Sequence, residues 1–194
     1  MRLGRQKPPV PADWLVVGLG NPGSRYERSP HNVGFLVAAE LMSRWDLGAP
    51  RKLFGGLFAD GRAETVAGRP RVAVLMPQTF MNESGRSAGP ARGALKLDLD
   101  RVIAVHDELD LAFGDIRSRL GGGLAGHNGL KSLKAGFGSP DFQRVRVGVG
   151  RPDSTDPEIV SAYVLGRWQQ PDADVEGLVR DAADAVERVM AGEA

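Results

Sequence analysis

The chain has 194 residues, 42% of them hydrophobic and 25% charged, a balance that fits one α/β domain with a substantial core rather than two. It has no cysteine, which excludes disulfides, thiolate zinc sites and cysteine nucleophiles, so any nucleophile is water or an oxygen. The formal net charge is +1, but seven basic residues face two acidic ones from Gly114 to Arg151, and three arginines face ten acidic residues from Pro152 to Ala194; the first region attracts phosphates and the second repels them.

Residues 1–12 are basic and proline-rich without an apolar core. They read as an extension, expected to be disordered, and as neither a signal peptide nor a membrane span; a cytoplasmic location is the default. The domain is expected over 13–194. Trp14 to Val17 predicts a buried strand, ending in a glycine-rich turn that carries Asn21. A helix start follows, with Ser29 as N-cap, Pro30 at the first helical position and His31 in the first turn. The partial positive charge of the helix N-terminus predicts a neutral imidazole near pH 7, fit for a general base or merely for capping.

His31 to Trp45 is apolar nearly all round and predicts a buried helix. Leu53 to Ala59 and Arg62 to Ala67 flank Asp60-Gly61, a hairpin signal, and with Arg71 to Met76 they predict a three-strand meander. The helix after Asn82 is expected to kink or split at Gly89-Pro90, and Arg101 to His106 predicts another buried strand. Asp115 to Leu120 and Arg144 to Val149 alternate, which puts Arg117, Arg119, Arg144 and Arg146 opposite the apolar face and hence toward solvent. Between them a glycine-rich loop leads to a helix from about Asn128 to Ala135. Pro157 to Leu165 reads as a short helix or loop, and Val175 to Met190 marks an amphipathic final helix.

Three motifs have competing readings. Gly18-Leu-Gly20-Asn-Pro-Gly23 matches the dinucleotide fingerprint, but residues 24–28 separate it from the helix start and Glu40 lies inside the helix rather than after a second strand, so the context fails. Asp107, just past a buried strand, is placed to orient His31; alternatively His106, Asp107 and Asp110 bind a metal, though no third strong ligand is evident. Asn82 and the loop Gly121 to Gly129 act as a helix cap and an anion-tolerant turn, or as parts of a binding site; the loop lacks the G-K-[ST] ending of a P-loop.

Several longer motifs stand in one order: V-G-L-G-N-P-G-x-x-Y, R-S-P-H-N, T-F-M-N-x-S-G, H-D-E-L-D-L, G-G-G-x-x-G-H-N-G-L-K and F-x-R-V-R-V-G-V-G. Through them the sequence resembles the bacterial peptidyl-tRNA hydrolase family from about Trp14 to the final helix. The resemblance implies a single-domain α/β/α sandwich with a mixed twisted sheet flanked by helices. It implies hydrolysis of the ester joining a peptide to tRNA by a water, with no cofactor or metal. It makes His31 the base, Asp107 its orienting partner and Asn21 a positioner of substrate and water. Asn82 and Asn128 would bind substrate near the scissile ester, with Tyr26, Phe80 and Met81 shaping the cleft. Arg119 and Arg144, with Lys131 and Arg146 close in sequence, would hold the tRNA 5′-phosphate. The implied partner is peptidyl-tRNA, with no membrane, no obligatory protein partner and a monomeric state. Leu124-Ala125, Pro90 and the acidic end of the chain depart from the family's common pattern. A silent RNA-binding module would keep the arginines without needing both His31 and Asp107; a dinucleotide-dependent oxidoreductase would use the Gly18 turn.

Overall fold

A computed structural model describes residues 9–65 and 68–193. The first eight residues of the expected extension therefore lie outside the described residues, as do two residues of the strand expected to end at Ala67. Residues 9–12 are placed, and the Val10 amide donates to Asp60 at 3.0 Å.

Seven strands form one mixed sheet: β1 (Trp14–Gly18), β2 (Arg51–Leu53), β3 (Gly56–Arg62), β4 (Arg71–Pro77), β5 (Val102–Glu108), β6 (Ile116–Leu120) and β7 (Gln143–Gly148). Their order is β2-β3-β4-β1-β5-β7-β6. The central strands β4, β1, β5 and β7 run parallel, while β2, β3 and β6 are antiparallel to their neighbours. β1, β4 and the first four residues of β5 are nearly continuous apolar runs because both faces are covered, whereas β7 alternates valines with Arg144 and Arg146. On one face Val16, Val74, Ile103 and Val145 pack under α1 (Val33–Arg44) and α5 (Asp172–Ala191). On the other, Leu15, Leu75 and Ala104 pack under α2 (Gly85–Leu95) and α3 (Asn128–Phe137). The α/β/α sandwich expected from the sequence is the fold observed.

Three local expectations need correction. Asp60-Gly61 is no turn: β3 runs through it, and Asp60 and Gly61 pair with Ala73 and Val72 of β4. The turn sits at Phe54-Gly55, both in the left-handed region, with φ of 54° and 68°. Pro90 neither splits nor ends α2. Its ring is exposed, and α2 lies so close on α3 that a Cβ on Gly85 would stand 2.0 Å from the Ser132 carbonyl oxygen. Lastly, His31 belongs to a one-turn 3-10 segment, Pro30–Asn32, that precedes α1, and the Ser29 hydroxyl donates to the Tyr26 carbonyl instead of capping.

The glycines at the end of β1 have a packing purpose. A Cβ on Gly18 would stand 2.2 Å from the Gly34 carbonyl oxygen, and one on Gly20 would lie 2.6 Å from the Phe35 ring. The pattern that imitates a dinucleotide fingerprint thus lets the start of α1 settle directly on the end of β1, which fixes His31 over the sheet edge.

Candidate active site

Because β1, β4 and β5 are parallel, their C-terminal ends meet at one edge, where open α/β sheets gather functional groups. Asn21 follows β1, Phe80 to Asn82 follow β4, and Asp107 is the penultimate residue of β5, inside the strand rather than just past it. His31 enters from the 3-10 turn, and His127 and Asn128 from the start of α3. They line a cleft of about 700 Å³ whose outer wall is α4 (Pro157–Leu165), through Val160, Val164 and Leu165.

His31 Nδ1 donates to both oxygens of Asp107, at 2.9 and 3.0 Å. That bond assigns the proton to Nδ1 and leaves Nε2, which has no partner among the described residues, as the basic nitrogen. Asp107 is 4% exposed. Burial alone would raise its pKa, but the His31 and His127 imidazoles prevail and hold it well below the usual carboxylate range. Burial likewise opposes a charge on His31, yet the Asp107 charge and hydrogen bond outweigh it, so the His31 pKa lies above 6.5. Among the groups around His31, the Asp107 carboxylate is the one that favours its protonated form, against burial.

Asn21 is buried, and its side-chain oxygen accepts from the Met81 amide at 2.8 Å. The donor on that side dictates the orientation of the carboxamide and leaves its NH₂ on the cleft wall. Asn32, which sequence reasoning passed over, holds the Asn21 backbone from both sides: its oxygen accepts from the Asn21 N–H at 2.8 Å and its nitrogen donates to the Asn21 carbonyl at 2.9 Å. Phe80, 57% exposed, stands at the cleft mouth, and Asn82 and Asn128 are exposed on its wall. Tyr26 is not among the lining residues; it lies in the turn before His31, with the Arg25 guanidinium 5.6 Å from its ring centre.

The sequence pattern described as peptidyl-tRNA hydrolase matches residues 15–194. A peptidyl-tRNA hydrolase of Methylorubrum populi is 48% identical over 180 residues, covering 92% of this chain and 82% of that one. One from a Mycobacterium species is 48% identical, covering 91% and 90%. The crystal structure of the Acinetobacter baumannii peptidyl-tRNA hydrolase superposes with a TM-score of 0.81 at 35% identity, covering 93% of this chain and 89% of that one. The chain belongs to the peptidyl-tRNA hydrolase family.

Within this peptidyl-tRNA hydrolase fold, the expected basic group divides. Arg119 and Lys131 are exposed, on β6 and α3, and Arg146 is half-buried, its Nε donating to Glu108 at 3.1 Å. Arg144 is 1% exposed, which contradicts its expected solvent-facing side chain. Its guanidinium donates to the carbonyls of Gly122, Gly123 and Pro140. The strand alternation put it on the correct face, but the glycine loop folds over that face and takes its donors. Ala125 in the same loop has φ of 45°, a left-handed conformation that glycine adopts without strain.

His106, Asp107 and Asp110 do not converge as metal ligands. His106 Nδ1 donates to the Asp107 carbonyl at 2.7 Å, and Asp110 pairs with Arg151. His31, Asp107 and His127 do present ligand atoms within 4.8 Å of one another. His127 Nδ1, however, accepts from the amides of Gly129 and Leu130, at 3.0 and 3.3 Å. A metal on Nε2 would require the proton on Nδ1, against those two N–H donors, so the donor set fits a hydrogen-bonded relay and not a metal. The same cap occupies two of the first amides of α3, which were expected to serve anions.

Proposed function

We propose that this chain hydrolyses the ester between a peptide and the 3′-terminal ribose of tRNA, freeing the tRNA for reuse, with a water activated by His31. The observation that carries the mechanism is the His31 Nδ1–H bonded to the buried Asp107 carboxylate while Nε2 has no partner among the described residues. Nε2 takes a proton from the water as its oxygen bonds to the ester carbonyl carbon, and Asp107 stabilises the imidazolium that forms. The carbon–oxygen bond to the ribose then breaks, and the imidazolium returns the proton to the departing ribose oxygen. The products are a free peptide acid and a tRNA with its terminal hydroxyl restored.

In this reading the Asn21 NH₂, held in place by Met81 and Asn32, orients water and the ester carbonyl. Asn82 and Asn128 hold the substrate beside it, with Phe80 and Met81 shaping the apolar wall. Arg119, Arg146 and Lys131 meet the phosphates of the tRNA. Tyr26 acts only through the turn that leads to His31, and Arg144 only through the loop it holds. The enzyme works in the cytoplasm as a monomer; among the described residues no helix is long and apolar enough to cross a membrane. Release of peptide from a peptidyl-tRNA, with free aminoacyl-tRNA as control, tests the reading. Cleavage of the blocked ester is expected, and its absence with a folded protein would overturn the reading.

A further inference from the structure

Asp107 receives two imidazoles, and the reaction uses only one of them. His127 Nε2 donates to Asp107 Oδ1 at 3.0 Å, the same oxygen that accepts from His31 at 2.9 Å. Its other nitrogen, Nδ1, accepts two amide protons of the α3 N-terminus. An imidazole nitrogen that accepts carries no proton, so these amides fix His127 as the neutral Nε2–H tautomer without reference to the carboxylate.

We infer that His127 is a positioning residue: the N-terminus of α3 locks its tautomer, and the locked Nε2–H holds Asp107 in place and shares its charge with His31. The inference rests on His31 being the base. Two consequences follow from the shared oxygen. The carboxylate cannot rotate away from His31 without also losing His127, so the bond that orients the base is held from both sides. Moreover, the charge donated to His127 is withheld from His31, which limits how far Asp107 raises the basicity of His31 and keeps the free base available nearer neutral pH. The same cap sets the first residue of α3, so Asn128 and the Asp107–His31 pair are positioned by one side chain.

The groups around this centre come from every packed element. The His31 ring lies 5.2 Å and the His106 ring 4.9 Å from that of His127. Glu108, Asp110 and Arg151 line the same cleft, but Glu108 is engaged by Arg146 and Asp110 by Arg151. Asp107 is thus the sole anion bonded to either imidazole among the described residues.

The tautomer is measurable in the unaltered protein by histidine ¹⁵N–¹H correlation spectra. A proton on Nε2 and none on Nδ1 of His127 at pH 8 is expected; the Nδ1–H tautomer would overturn the inference. His127→Asn separates the two roles, because asparagine caps helices well but is too short to reach Asp107. With the fold and α3 intact, the acid limb of kcat/KM is expected to move up by about half to one pH unit, since Asp107 then acts on His31 alone. The plateau kcat should fall about tenfold as the carboxylate loses its second restraint. An unmoved limb with parent-like kcat would make His127 a helix cap and nothing more. If His31→Ala hydrolysed the ester as the parent does, the base assignment would fall; an inactive His31→Ala beside an unmoved limb would sink the clamp alone.

Discussion

At Asp107 two imidazole N–H donors replace the water that an exposed carboxylate would have, and in the proposed mechanism the charge they stabilise is what His31 uses. Since that charge raises the His31 pKa above 6.5, kcat/KM should climb with pH through a single ionisation above that value while chemistry limits turnover; a rate flat from about pH 5 to 8 would remove histidine base catalysis. His31→Ala should lower kcat by about 10²–10⁴-fold with the fold retained, and Asp107→Asn should also cripple turnover, because an amide neither fixes the tautomer nor stabilises the cation. Activity within about tenfold of the parent in His31→Ala would reassign the base. His127, the obvious substitute, already donates from Nε2 and accepts at Nδ1.

The same residues tie stability to pH. The His31–Asp107 pair contributes fully below the unfolded histidine value of about 6.5, and that contribution is lost as pH rises through the raised folded value; from the Asp107 side it is present above the unfolded carboxylate value of about 3.9 and lost as pH falls through the depressed one. His106 works in the opposite direction. Burial pushes its pKa down to about 3, although its bond to the Asp107 carbonyl opposes the shift. Between about pH 6.5 and 3 the unfolded chain therefore binds a proton that the folded one refuses, and stability falls on acidification by up to about 1.4 kcal/mol per pH unit. Denaturant unfolding of His106→Gln should show a flatter decline between about pH 6 and 4.5 than the parent. An equally steep decline would mean that His106 is not the refused proton.

At the scale of elements, the decisive object is the glycine loop between β6 and α3. Arg144 is its anchor: the guanidinium bonds two loop carbonyls, Gly122 and Gly123, and ties them to that of Pro140 in the turn before β7, so Arg144→Met, which keeps the apolar stem, should cost about 1–3 kcal/mol by leaving those acceptors unpaired. Thermal unfolding measures that loss; a parent-like melting temperature together with a raised KM would instead restore Arg144 to the phosphate contacts. Period-two alternation reveals which face of a strand a side chain takes, but not what later lies over that face, and so Arg144 was legible as a face residue and not as a buried one. The β3 error has a related origin. Asp60-Gly61 carries turn chemistry, yet Asp60 is paired with Arg51 at 2.7 Å inside the sheet, while the actual turn uses Phe54, a residue with no turn signature. By contrast, His31, Asp107, Asn21, Asn82 and Asn128 were legible because each sits at the end of an apolar run or at a helix start, and a parallel sheet gathers such ends. Asn32 was not, because its bonds go to the Asn21 backbone, and His127 stood out only as an alternative base, because its bonds to the α3 amides and to Asp107 are not revealed by spacing.

For the molecule as a whole, the uneven charge acquires a geometry. The acidic α5 lies on the face opposite α2 and α3, whereas Lys131 lies on α3 and borders a groove that Asn82 and Asn128 share with the cleft. Arg119 lies on the outermost strand, its guanidinium lying where a Cβ on Gly122 would intrude at 2.2 Å, so the loop's glycine leaves it free passage to solvent. A polyanion whose 3′ end enters the cleft would thus run over the basic side and away from α5. Each phosphate neutralised releases counterions, so loss of a contact weakens binding and also flattens its salt dependence, by roughly one unit of logarithmic slope. Arg119→Ala and Lys131→Ala should each raise KM for full-length peptidyl-tRNA with little change in kcat, as expected when binding is lost equally from ground and transition states. A minimal ester substrate without the tRNA body should show neither effect, because it has no distant phosphates to lose. Were both variants to keep a parent-like KM and an unchanged salt slope, the nucleic acid would have to cross another surface, even with the His31–Asp107 chemistry intact.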